Sequence, residues 1–234
     1  MFEMWDYYFW KLVLITSSLI AAFEVIWLAY QLVCKWRKDR MQEVLIFNEL
    51  GAVCAKEHLR FSLIGRVFYC TNENCSQKYV NRIIDNLNNA KFSIDLAMYS
   101  IGSIGMVSAL MNALLRNVVV RIIVSQRNAT LSCVLLDLVD RGAQLRCQDC
   151  DNFMQHKFCV IDEQGRVNRI RNKKRKNGPK THGVLMNGSL NWTDSGFCGN
   201  WENVVITTNA EVVQAFQEEF DRMWIAFSTK TKFY

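Results

Sequence analysis

The chain predicts an α/β fold, with a mixed, mainly parallel sheet flanked by helices and an N-terminal transmembrane helix. Three observations carry this reading. Short apolar runs alternate with amphipathic stretches, one long apolar run lies near the start, and a single proline leaves ordered structure as the default. At 234 residues, half of them apolar, the chain suits one domain with a full core plus an added segment.

Taken in order, residues 1–11 form a short leader and residues 12–34 an almost unbroken apolar run of 23 residues. As a helix, that run crosses a hydrocarbon layer of about 30 Å. A cleaved signal peptide would show an apolar region of about 7 to 15 residues and a small-residue cleavage site, and neither fits. A buried core helix is the alternative. Residues 35–42 are basic, with Lys35, Arg37, Lys38 and Arg40, whereas the leader holds Glu3, Asp6 and Lys11, so charge asymmetry places the body in the cytosol. Glu24 shares a helix stripe with Ser17 and Gln31, which suggests a polar helix–helix contact; a protonated Glu24 near lipid is the other reading.

The body, residues 43–228, opens on an apolar run at 43–47, the length of a buried strand. Runs at 92–98, 118–124 and 157–161 read likewise, and 183–186 and 203–207 look like further strands. Between them, 77–90 carries Val80, Ile83, Ile84 and Leu87 at helical spacing, 106–115 is helix-like, and 131–141 follows a possible cap at Asn128-Ala129-Thr130. Residues 211–227 form the clearest amphipathic helix, with Val212, Val213, Phe216, Phe220 and Trp224 on one side.

The net charge of +6 is local, because residues 163–182 hold eight Lys or Arg and one acid. We read 163–182 as a basic loop beside the site, with Arg166, Arg169, Arg171, Lys173, Lys174, Arg175, Lys176 and Lys180 facing nucleic-acid phosphates, anionic lipid headgroups or only solvent. Nine cysteines in a chain this long point to reduced thiols or metal ligands rather than a disulfide scaffold. Cys54, His58, Cys70 and Cys75, in an insertion at 54–75, have the ligand types of a structural zinc site; four ordinary reduced side chains are the alternative. Cys147 and Cys150 form a competing CxxC with no second pair nearby.

Phosphodiester cleavage needs a nucleophile, a proton donor and cations around a charge-rich transition state. Lys157, Ser189 and Asn191 supply phosphate contacts, Asp162 could orient a ring nitrogen or Lys157, and Glu202 could orient a histidine from the neighbouring strand. Trp192 and Trp201 offer base stacking or core packing.

Lys157, Asp162, Gly188-Ser189, Asn191 and Glu202, in this order, resemble the single-motif branch of the phospholipase D superfamily. Adding the apolar N-terminal run, Asn48-Glu49-Leu50-Gly51 and the Cys/His set, essentially the whole chain resembles the Zucchini, or mitochondrial cardiolipin hydrolase, family. The resemblance implies a hydrolase of the mitochondrial outer membrane, active as a single-strand-specific endonuclease in germline piRNA biogenesis or as a cardiolipin hydrolase. It also implies a structural zinc on the Cys-His-Cys-Cys set, no catalytic metal, and a homodimer whose two histidines share one site, one attacking phosphorus and the other protonating the leaving oxygen.

In this chain both histidine positions are Gln155. A neutral amide neither attacks phosphorus nor exchanges a proton near neutral pH. His156 is adjacent, but successive side chains of a strand face opposite ways, so with Lys157 toward substrate His156 points away. Three readings follow: a family member crippled at Gln155, an active phosphodiesterase using His156 as substitute, or an interaction subunit that lends Lys157, Ser189 and Asn191 to an intact paralogue.

Overall fold

The computed structural model describes residues 2–38, 42–64, 66, 68–125, 133–147, 154–173 and 180–227. The chain divides into two units, residues 1–41 and 42–234. The first unit is helix α1 (Phe2–Lys38), so the predicted leader is already helical. Within it Tyr8–Val33 is long and apolar enough to cross a membrane, and none of that window is buried. Ser17 donates its hydroxyl to the Val13 carbonyl at 2.6 Å, so this member of the polar stripe is satisfied by its own helix.

The second unit runs β1 (Gln42–Phe47), α2 (Glu49–Ala52), α3 (Ala55–Leu63), α4 (Ser76–Asn88), β2 (Ser93–Met98), α5 (Ile104–Leu115), β3 (Val119–Val124), α6 (Cys133–Asp140) and β4 (Gln144–Cys147). It continues with β5 (Lys157–Ile161), α7 (Gln164–Lys173), β6 (Val184–Gly188), α8 (Asp194–Cys198), β7 (Glu202–Thr207) and α9 (Ala210–Ala226). The strands form a seven-stranded sheet in the order β1-β7-β6-β5-β2-β3-β4.

The sheet is mixed, as expected, but not mainly parallel: among the described residues only β2/β3 and β3/β4 pair in parallel, and the other neighbours are antiparallel. Parallel neighbours need crossover helices, which α5 and α6 supply. By contrast α7 and α8 turn the chain round at opposite ends of the sheet, so that β6 returns beside β5 and β7 beside β6.

All of β2 is buried, because both faces of the central strands are covered and apolar runs replace alternation. Edge strand β1 alternates, with Leu45 and Phe47 buried and Val44 and Ile46 exposed. On one face Val213, Phe220 and Met223 of α9 pack against Ala97, Ile123, Phe158, Val160 and Leu185. Val212, predicted on that apolar side, is exposed. On the other face α4 and α5 bury Val80, Ile83, Leu87, Met106 and Leu110.

The segment read as a basic loop contains a helix. Glu163 accepts from the Gly165 and Arg166 N–H groups at 2.7 and 2.6 Å and caps α7, while Val167 and Ile170 face inward. Two apolar residues are too few to announce a helix by periodicity. Strand β4 was missed because it is four residues long at an edge. The cap at 128–130, Cys150 and Lys174 to Lys176 lie outside the described residues.

Candidate phosphodiester site

Strand register gathers the second half of the motif beside the first. Lys157 opens β5 opposite Met98, Gly188 ends β6 opposite Val204, and Glu202 opens β7. Gly188 is required by close approach: a Cβ there would collide with the Asn203 carbonyl. The strands therefore touch, and Ser189 accepts from the Asn203 N–H at 3.1 Å while donating its hydroxyl to Glu202.

The loop that follows is pinned to the end of β2. Trp192 donates to the Ser100 carbonyl at 3.2 Å, and its own carbonyl accepts from Gly102 and Ser103 at 2.9 and 3.0 Å. This docks Asn191 beside the chain leaving Met98, the register partner of Lys157. The side-chain amide oxygen of Asn191 is buried without a hydrogen-bond partner. Trp192 is core at 3% exposure, and Trp201, at 73%, is open to stacking.

Lys157 folds back to donate to the Gln155 main-chain carbonyl at 3.0 Å and lies 5.5 Å from the centre of the Tyr99 ring. Tyr99 was missed by sequence reading; its signal is its place one residue beyond the end of β2. Gln155 and His156 are both exposed. His156 meets the Phe158 ring edge-on at 5.4 Å and lies 3.7 Å from Glu219, on the face covered by α9. His156 therefore turns toward α9, on the Phe158 side.

Two expected roles are corrected. Asp162 does not orient Lys157, because it lies past the far end of β5, about 16 Å away along the strand. Its Oδ1 accepts from the Phe92 and Ser93 N–H groups and its Oδ2 from Lys91, each at 2.8 Å, which closes the β2–β5 pair. At φ 51 it occupies the left-handed region, which Asp tolerates better than most residues. Glu202 is engaged by Ser189 and by Asn200 at 3.1 Å rather than by a histidine.

Among the described members of the basic set, Arg166, Arg169, Arg171 and Lys173 lie on α7 and Lys180 precedes β6. Arg166 and Arg169 pair with Asp95 at 3.6 Å and Asp221 at 2.6 Å. Arg171 is buried with its guanidinium 4.5 Å from the centre of the Phe92 ring. Arg166 and Arg171 are built into the fold, Arg169 is an exposed ion-pair partner, and Lys173 and Lys180 are exposed. Sequence reading also missed the core of this network. Arg121 donates twice to Asp95, at 2.7 and 2.6 Å, beneath Phe220 and Trp224, and Asp95 faces Arg121 in the β2–β3 register. Opposite charges within two buried runs were the available signal.

Cys54, His58, Cys70 and Cys75 converge so that their ligand atoms lie within 4.8 Å of one another. Four donors around one zinc, with Zn–S near 2.3 Å, would stand about 3.5 to 3.8 Å apart, so the set fits the ion after a small contraction. The surrounding fold holds it there: Asn48 caps α2 by accepting from Leu50 and Gly51, and a Cβ on Gly51 would lie 2.7 Å from the Asn74 carbonyl. Burial beside the Cys54 thiol pushes metal-free Cys75 up to about 11, and burial holds His58 below its ordinary value. A divalent cation would offset the cost of that thiolate. Cys147, of the competing pair, is buried in β4.

A seven-stranded mixed sheet that presents Lys157, Ser189 and Asn191 at one end defines the phospholipase D-like class. Residues 83–224 match the family model described as cardiolipin synthase, PLD-like domain. A curated relative, mitochondrial cardiolipin hydrolase of Drosophila melanogaster, is 37% identical over 235 residues, covering 95% of this chain and 91% of its own. Among solved structures, the phospholipase D family member Nuc from Salmonella typhimurium superposes with a TM-score of 0.51 at 20% identity, over 64% of this chain and 88% of that one. NucT from Helicobacter pylori gives 0.56 at 14%, over 80% and 98%. At those identities they show the fold. The chain belongs to the mitochondrial cardiolipin hydrolase family.

Proposed function

We propose that this chain is a membrane-anchored phosphodiester-binding protein of that family whose own catalysis is impaired at Gln155. The observation that carries the reading is the split of roles at the start of β5: the Lys157 side chain stands with the Tyr99 ring near the Ser189 turn, while the only neighbouring imidazole, His156, faces α9. Lys157 is a compact cation for a phosphate oxygen, and Ser189 and Asn191 are polar partners beside it. Nothing at position 155 can attack phosphorus.

The substrate is a phosphodiester, either single-stranded RNA, as in piRNA biogenesis, or cardiolipin, after the name of the Drosophila relative. The site is shared between two chains of a homodimer, or with an intact paralogue. Tyr8–Val33 anchors it in the mitochondrial outer membrane with the body in the cytosol, following the relative's name and the basic flank. Cys54, His58, Cys70 and Cys75 hold one structural zinc, which supplies a cross-link and no chemistry.

The test is Gln155→His assayed beside the natural chain on single-stranded RNA and on cardiolipin vesicles. Restoring a nucleophile and proton carrier raises turnover about a thousandfold. If neither substrate is cleaved faster, the defect is wider than one missing histidine. Turnover by the natural chain only after mixing with an intact relative favours the paired-subunit reading. For zinc, elemental analysis gives one ion per chain, and Cys75→Ser abolishes it with a stability loss of several kcal/mol.

A further inference from the structure

A cavity of about 520 Å³ opens at the end of the sheet opposite Lys157. Phe92, Ile161 and Val184 give it an apolar wall, and Lys91, Arg171 and Lys180 bring cations to it. Its one carboxylate, Asp162, is already held through both oxygens by three main-chain N–H groups. The lining is therefore cationic in effect, with Asp162 aimed at the protein.

Cations near a helix C-terminus often serve the helix itself. Here Arg116 serves α4, donating to the Leu87 carbonyl at 3.1 Å and to Ala90 at 3.5 Å. Lys91 and Lys180 are exposed, and among the described residues neither side chain is paired with a carboxylate. They are surplus to the fold.

Strand register says where this cavity lies along the chain's path. Ile161 pairs with Val184, Leu185 with Thr207, and Thr207 with Gln42. The first residue of β1 thus stands at the cavity end of the sheet, whereas Phe47 stands opposite Glu202 at the Lys157 end. Residues 34–41, which carry Lys35, Arg37, Lys38 and Arg40, join the body at Gln42.

We infer that this cavity is a second, non-catalytic phosphate site that takes the headgroup of an anionic phospholipid from the membrane entered by the chain's own helix. The apolar wall meets the glycerol backbone and first methylenes, and Lys91 and Lys180 meet the phosphate. A headgroup fits better than RNA because the feature is a walled cavity with an apolar side, at the end of the sheet where β1 begins, and the basic segment that precedes β1 in the chain gains from an anionic surface. The inference rests on the membrane reading of Tyr8–Val33 and not on catalysis.

The test uses the full chain carrying Lys157→Gln, which removes the phosphate lysine of the first site, in neutral detergent micelles. It is titrated with dihexanoylphosphatidic acid, dihexanoylphosphatidylcholine, inorganic phosphate and single-stranded RNA. Phosphatidic acid binds, phosphatidylcholine does not, and adding Lys91→Gln with Lys180→Gln weakens phosphatidic acid about thirtyfold. Lys91→Arg with Lys180→Arg keeps the affinity and excludes misfolding as the cause. The inference is overturned if inorganic phosphate binds as tightly as the lipid, if RNA is the ligand weakened by the neutral pair, or if that pair changes nothing.

Discussion

Lys157 and Asp162 belong to one short motif and begin and follow the same strand, yet they stand at opposite ends of the sheet in opposite states. Asp162 is 7% exposed and has both carboxylate oxygens engaged by the three successive N–H groups of residues 91–93. Lys157 is part-exposed, and its hydrogen bond to the Gln155 carbonyl lies at the surface. The Asp162 side chain is built for closure and the Lys157 side chain for exchange with a ligand. Neighbours in a motif can therefore serve separate roles, because a strand of five residues moves its ends apart by more than a hydrogen bond can reach.

The sharpest way to break this contrast is Asp162→Ala. It leaves three N–H groups, one buried and two part-buried, without their charged partner, so urea denaturation should show a loss of about 3 kcal/mol. A loss below about 1 kcal/mol would mean that Asp162 is not the clasp of the β2–β5 pair.

At the other end the expected effects are on rate rather than stability. Adding His156→Ala to the Gln155→His chain should change turnover by less than about twofold, because His156 packs on Phe158 on the α9 face. A tenfold or larger fall, about 1.4 kcal/mol, would show that His156 reaches the substrate.

The smallest effect sets a baseline for exposed charge. The Arg222 guanidinium, hydrogen-bonded at 2.7 and 2.6 Å, holds the Glu219 carboxyl below its ordinary value. A carboxyl lowered in the folded state adds stability above the unfolded value of about 4.3, and that stability is lost as pH falls through the lowered folded value. Glu219→Gln should therefore cost at most about 0.5 kcal/mol at neutral pH and nothing in strong acid, measured by thermal melts across the acid range.

Much of this was legible in the chain. The apolar run that fills α1, the buried runs of β2, β3 and β5, and the helical spacing of α4 and α9 follow from periodicity, which is a local property. The members of the candidate site were legible too, because Lys157, Gly188-Ser189 and Asn191 occur in a fixed order that composition does not produce by chance. Helix α7 was not, since its basic residues mask two buried apolar positions. Nor was the ion network, since the Asp95–Arg121 contact depends on β2 and β3 lying in one register.

By itself the sequence determined the fold class, the apolar helix, the donor types of the Cys/His cluster and the absence of an imidazole at position 155. These rest on which residues exist and how they are spaced. Only the tertiary structure decided the direction of the strands, the far-end position of Asp162 and the basic helix, and the face to which His156 turns. Those depend on register and on where the chain reverses, quantities set by packing between segments distant in sequence.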